Sequence, residues 1–262
     1  MLARHCGLDD IRPPRIWGTV QHGWNHVHGF GFQHAVIDGF PKFVWSQAVL
    51  RRGWAAGMRD YYVIGAPWAY LLAMEPELLA QPREGTIWYP FHGFEGAMLD
   101  GAHERLIAEI KATEPGPVTV CLYWMEYREP SIRAKYEAAG FRVICHGYRG
   151  RKWKGTEPEF LYRQLAELRR HKRVAANRLT TAIFYGVLAG CEPAVYGDPM
   201  WLVGINPGYG DNGRVARLHP ELVGVAPDPA VARAIAAEEL GVDRLAGPAE
   251  LRALFNWETP HD

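Results

Sequence analysis

The chain lacks several features that would have narrowed its class at once. It has no net charge, with 29 Lys and Arg set against 29 Asp and Glu. A general nucleic-acid binder is normally basic, so no nucleic-acid partner is expected. It has no C-x-x-C pair, and Cys6, Cys121, Cys145 and Cys191 stand far apart, which argues against a zinc knuckle. No run approaches the roughly 20 apolar residues of a membrane-spanning helix. The opening segment, 1–10, carries acids and no apolar core, so no signal peptide is expected. A reduced cytoplasm is the expected compartment, with peripheral membrane contact left open. There is no G-x-S-x-G, which removes that hydrolase class. The glycine fingerprint of dinucleotide binding also fails. Gly29-Phe30-Gly31 has neither the third glycine nor a strand directly before it, and Gly208–Gly213 has the spacing but leads into no clear helix.

What is present is ordinary in bulk and uneven in detail. The 262 residues are 48% hydrophobic and 22% charged, enough to bury a sizeable core without a disulfide or metal staple. Ten Trp, 12 Tyr, 10 Phe and 11 His gather near glycines. Such clusters suit a pocket for a polar organic molecule better than a polyanion groove.

Hydrophobic patterning predicts short strands alternating with helices. Strands are expected over 15–21, 42–46, 60–65, 86–89, 117–124, 141–145, 173–176 and 193–196. Helices are expected over 47–56, 68–74, 99–113, 130–139, 158–171, 180–189, 230–240 and 248–255. Alternation of this kind marks βαβ units and parallel sheets. The proline-bearing stretch 75–84 divides it. The expected organisation is a short first half (1–84), a second half (85–225) and closing helices (226–262). The fold class is α/β, with two Rossmann-like parallel-sheet halves and a cleft between them.

Open α/β sheets bind ligands beyond the carboxyl ends of their strands. The expected strands end at Gln21-His22-Gly23, Gly65-Ala66-Pro67, Phe91-His92-Gly93, His146-Gly147-Tyr148-Arg149, Asn177–Thr181 and Tyr196-Gly197-Asp198. Three of these place His directly before Gly. Imidazole serves proton transfer or phosphate contact, and glycine lets a backbone come close. Asn177 suits a helix cap, and Thr180 and Thr181 open the next helix. Helix starts expose unpaired amides and favour negative charge, so two hydroxyls there suit a phosphate.

This ordered series resembles the bacterial capsule and teichoic-acid polymer transferases of GT-B type, the CDP-glycerol glycerophosphotransferase and capsular polysaccharide synthase group. The likeness runs over roughly residues 15–200 and rests on Gln21-His22-Gly23, Gly65-Ala66-Pro67, Tyr89–Gly96, His146-Gly147 and Asn177–Thr181. Where that group has His-Pro, this chain has His146-Gly147, and its Asp-Tyr-Ser-Ser is here replaced by Asn177–Thr181. The resemblance implies transfer of a sugar or polyol phosphate from a nucleotide-activated donor to an acceptor hydroxyl. It makes His22 the general base or a contact to the donor phosphate, with His92 and His146 also in catalytic roles. Thr180 and Thr181 would hold the donor phosphates. Asn177, Arg149, Gly147 and Asp198 complete the donor-binding set. No metal and no cofactor besides the donor substrate is implied.

Two other readings remain at this level. His22, His26 and His28 form a three-nitrogen set of the catalytic-zinc kind, although no H-E-x-x-H accompanies them. A non-catalytic carbohydrate or nucleotide-sugar binder would use Trp24, Trp88 and Trp124 as stacking surfaces. Apolar surroundings favour core packing for Trp88 and Trp124.

Overall fold

A computed structural model describes residues 1–30, 37–77, 82–94, 99, 103–149, 155–203 and 212–257. The chain forms two compact units, Met1–Leu78 with Ala234–Asp262, and Leu79–Arg233. Both are α/β with parallel sheets.

The first unit carries β1 (Thr19–Val20), β2 (Lys42–Val44) and β3 (Tyr61–Val63) in that spatial order. The central strand is buried throughout, Lys42 included. Its ammonium is satisfied by the Ile37 and Phe40 carbonyls at 2.9 and 3.1 Å, with Asp60 at 3.6 Å. Helix Gln47–Ala55 starts at Ser46, whose hydroxyl accepts from the Val49 amide. The closing helix Pro248–Phe255 packs Leu251 and Phe255 against Phe43, Ile64 and Tyr70. Arg52 grips the buried Glu239 with two bonds of 2.7 and 2.6 Å, and Trp24 Nε1 donates to the same carboxylate at 2.8 Å.

The first strand is shorter than its apolar pattern predicts. Residues 15 and 17 bond to the C-terminal segment instead of to β2: Trp17 N–H donates to the Phe255 carbonyl and Trp257 Nε1 to that of Arg15. Gly18, at φ +151, turns the chain where an added Cβ would strike Phe43 and Pro41.

The second unit carries β4 (Thr86–Tyr89), β5 (Val118–Cys121), β6 (Arg142–Ile144), β7 (Arg173–Ala176) and β8 (Glu192–Val195). Their spatial order is β6-β5-β4-β7-β8. The chain thus winds outward from β4 in one direction, then returns to its other side as β7. That reversal between β4 and β7 is the topological switch point of a doubly wound sheet. Strands β5 and β7 are buried along nearly their whole length, as strands covered on both faces are. Trp88, Leu106, Ile110, Val120 and Tyr136 form the core of this unit. Gly186 lets helix Thr181–Leu188 lie directly on β7, since a Cβ there would stand 2.5 Å from Val174 Cγ1.

Three further sequence expectations change. Of the helix expected over 99–113 the described part is His103–Thr113, and Leu99 makes an antiparallel bridge with Leu202. Trp124 leaves the β5 strand and opens a short helix, Trp124–Arg128. Of the glycine-rich stretch 204–213, residues 204–211 lie outside the described residues, and its last two open a helix, Asn212–Leu218, that the pattern did not show. No described helix is long and apolar enough to cross a membrane.

Candidate functional site

The best-organised polar cluster lies at the carboxyl ends of the second sheet. Tyr89 is in register with Ala176, so the loops after β4 and β7 leave side by side at the switch point. Asn177 ties them together. Its Oδ1 accepts from the Phe91 amide at 2.7 Å, and its Nδ2 donates to the Asp198 carbonyl at 2.6 Å. The carboxamide is 2% exposed, so it braces three strand-end loops from within. The helix cap itself is Thr180, in extended conformation, with no capping bond from its hydroxyl; Thr181 is the first helical residue.

On one side of this brace stands Arg178, buried between the rings of Phe91 and Trp201, at 3.7 and 5.0 Å from their centroids. It donates to the carbonyls of Pro199 and Met200. Desolvation pulls its pKa down to about 10, against the nearby Asp198 charge. It therefore remains a cation at neutral pH. Asp198 accepts from the Met200 amide at 2.9 Å and pairs with Arg105 at 2.7 Å.

On the other side, toward β5 and β6, His92 and Arg149 meet. His92 Nδ1 lies 2.6 Å from the Gly93 carbonyl and Nε2 lies 3.3 Å from Arg149 Nη2. A carbonyl only accepts and a guanidinium only donates, so the ring is neutral, protonated on Nδ1. Burial, then the Arg149 charge, drive its pKa down to about 3. The Tyr123 ring packs 4.5 Å from that of His92 and lies under the Arg149 guanidinium at 4.6 Å. Below them Glu126 Oε1 accepts from the Gly93 amide at 2.7 Å. Burial holds the Glu126 pKa above the usual carboxylate range, opposed by that amide.

His146 is buried one loop away. Its Nε2 lies 3.0 Å from the Tyr89 hydroxyl, and desolvation lowers its pKa to about 4. Gly147 follows at φ +108, and an added Cβ would stand 2.7 Å from Glu157 Cγ. Only glycine turns the chain there toward Arg149 without displacing a neighbour.

The expected site residues thus divide. His92, His146, Gly147, Arg149, Asn177, Thr180 and Asp198 lie on strand-end loops of the second unit, and Thr181 opens the helix that follows one of them. His22 belongs to the first unit, exposed just after β1. The buried Gln21 beside it accepts from the Trp45 amide and donates to the Gly23 carbonyl, fixing the turn. His26 and His28 are half-buried nearby, and His28 Nδ1 accepts from the Phe30 amide at 3.3 Å. Among the described residues, no group of three or more His, Cys, Asp or Glu is placed to hold a metal ion. The alternative zinc triad of His22, His26 and His28 is therefore not assembled. Of the three tryptophans considered as stacking surfaces, Trp88 is fully buried and Trp24 is held by Glu239. Trp124 stacks with Arg128.

Sequence reasoning did not single out Glu126, Tyr123, Arg178 or Trp201. Arg178 carried one usable signal: a lone cation between Asn177 and Leu179, at a strand end. Glu126 and Tyr123 carried none, since an acid and an aromatic after a strand usually face solvent or core.

No family model matches the chain, and no curated protein sequence matches it. Among solved structures it is similar to the apo form of the lipopolysaccharide outer core galactosyltransferase WaaB, with TM-score 0.30 and 9% sequence identity. That alignment covers 82% of this chain and 57% of the other, so the chain spans somewhat more than half that structure's length.

Proposed function

We propose that the chain is a transferase that moves a sugar or polyol phosphate from a nucleotide-activated donor to an acceptor hydroxyl, and that the second unit holds the donor. The observation that carries this reading is the braced switch point. Asn177 joins the loops after β4, β7 and β8, and helix Thr181–Leu188 opens on the same edge behind a Thr180 hydroxyl with no capping bond. Doubly wound sheets bind ligands at that place, and helix starts favour phosphate.

In this reading Thr180 and Thr181 hold the donor phosphates, and Arg149 balances their charge. His92 has both ring nitrogens engaged, so its part is to aim Arg149 rather than to shuttle a proton. His146 and Gly147 shape the turn that delivers Arg149. The acceptor oxygen forms the new bond while the donor's bond to its nucleotide phosphate breaks. The nucleotide leaves with the electron pair, and the acceptor proton passes to His22. The donor is a substrate, and the acceptor is a carbohydrate or another hydroxyl compound.

A thermal-shift panel of CDP, UDP, GDP and ADP tests donor binding. A ligand held by the folded state at 100 times its Kd adds about 2.7 kcal/mol by mass action. At least one diphosphate should therefore raise the melting temperature saturably, and the double variant Thr180→Ala with Thr181→Ala should shrink that rise. No shift with any diphosphate, or a shift untouched by the double variant, overturns the reading.

A further inference from the structure

Trp201 is 46% exposed, although its neighbours Arg178 and Met200 are buried. Isolated exposed apolar residues need no explanation, but this one is fixed in place. Phe91, Arg178 and Trp201 stack as ring, guanidinium and ring, with the cation 3.7 Å from one centroid and 5.0 Å from the other. The guanidinium is anchored by the carbonyls of the two residues before Trp201, Pro199 and Met200. Asp198 braces the same turn through the Met200 amide, and Asn177 holds the Asp198 carbonyl. Leu202, the next residue, bridges to Leu99. An indole held on both sides along the chain, against a buried cation, loses little freedom when something stacks on its open surface. It also stands on the strand-end loop next to the one that carries Thr180 and Thr181.

We infer that Trp201 is the stacking platform for the nucleobase of the donor. This rests on the reading of the second unit as a donor-binding unit and adds the part of the ligand that the phosphate contacts leave unread. A base offers a flat π-face, and an aromatic platform accepts it with little regard to its hydrogen-bonding edge. Trp201 therefore supplies affinity for nucleotides as a class, over and above the affinity for their phosphates.

The test separates the base from the phosphates. Inorganic pyrophosphate, CDP, UDP, GDP and ADP are titrated by calorimetry into the wild-type chain, Trp201→Ala and Trp201→Phe. Base–aromatic stacking corresponds to roughly a 5- to 150-fold affinity difference. Trp201→Ala should lose about tenfold or more of the preference for the best nucleotide over pyrophosphate, while pyrophosphate affinity stays within about twofold. Trp201→Phe, which keeps a ring, should retain most of that preference. Three results overturn the inference alone: an unchanged preference in Trp201→Ala, a parallel loss of pyrophosphate and nucleotide, or a wild-type chain that binds pyrophosphate as tightly as every nucleotide. A wild-type chain that binds none of the five overturns the donor-binding reading as well.

Discussion

Replacing Asn177 with Ala removes the brace at the switch point, and its cost follows from two bonds. The side chain is 2% exposed and makes hydrogen bonds of 2.7 and 2.6 Å to the Phe91 amide and the Asp198 carbonyl. Its loss leaves a half-buried donor and a half-buried acceptor without this partner, at about 1–3 kcal/mol each. The expected total is about 2–6 kcal/mol, a fall in melting temperature of roughly 5–20 °C for a chain of this length. Asn177→Asp refines the test. It keeps an acceptor for the Phe91 amide but turns a carboxylate oxygen toward the Asp198 carbonyl. Burial and that repulsion raise the new group's folded pKa above its unfolded value near ~4. Its deficit is therefore largest at high pH. It shrinks as pH falls, because the protonated acid donates to the carbonyl as the amide did. Calorimetric melting of both variants between pH 8 and pH 4, with diphosphate titration at pH 7.5, reads the outcome. Asn177→Ala melting within about 2 °C of wild type, or an Asn177→Asp deficit that ignores pH, refutes the reasoning.

Further outcomes follow from the same geometry. Burial lowers the pKa of His146 to about 4, so its folded form favours the neutral ring. That contribution is complete above about 6.5 and is lost as pH falls toward 4, so His146→Gln should remove up to ~3 kcal/mol of acid sensitivity in that window. Urea unfolding at several pH values checks this, and equal pH slopes for the two proteins refute it. Gly147→Ala puts a Cβ at φ +108 against Glu157; it should cost about 1–3 kcal/mol and weaken diphosphate binding by redirecting Arg149. Unchanged melting and affinity would contradict that. His22→Ala should abolish turnover while nucleotide binding stays near wild type; activity within a few-fold of wild type removes the base assignment. Arg149→Lys leaves a cation but no planar group to share between His92 and the Tyr123 ring, so diphosphate affinity should drop about tenfold, read by calorimetry.

The parts of the fold legible in advance were those that local chemistry settles. Thr86–Tyr89 and Arg173–Ala176 are strands over the expected residues because each is a short apolar run bounded by turn formers. Helix Pro248–Phe255 keeps its expected limits, with proline at its first position and Asn256 ending it in the left-handed region. That the strand-end histidines, Asn177 and the threonine pair stand just beyond their strands was legible as well, because strand limits follow from local pattern. Which groups share a site was not legible. Thr180 and not Asn177 is the cap, because the Asn177 carboxamide is drawn into the bonds between loops.

By itself, then, the sequence determined the α/β alternation, the strand ends and the residue types standing at them, since these depend on patterns a few residues long. Tertiary structure decided the order β6-β5-β4-β7-β8, and with it the switch point. It also decided the partners of the buried charges. Arg178 lies between Phe91 and Trp201, Glu126 lies under Gly93, and Arg52 reaches Glu239 across 187 positions. A charge can be taken out of water only where hydrogen-bonding or charged partners meet it. Those partners arrive from distant segments, so no local pattern could announce them.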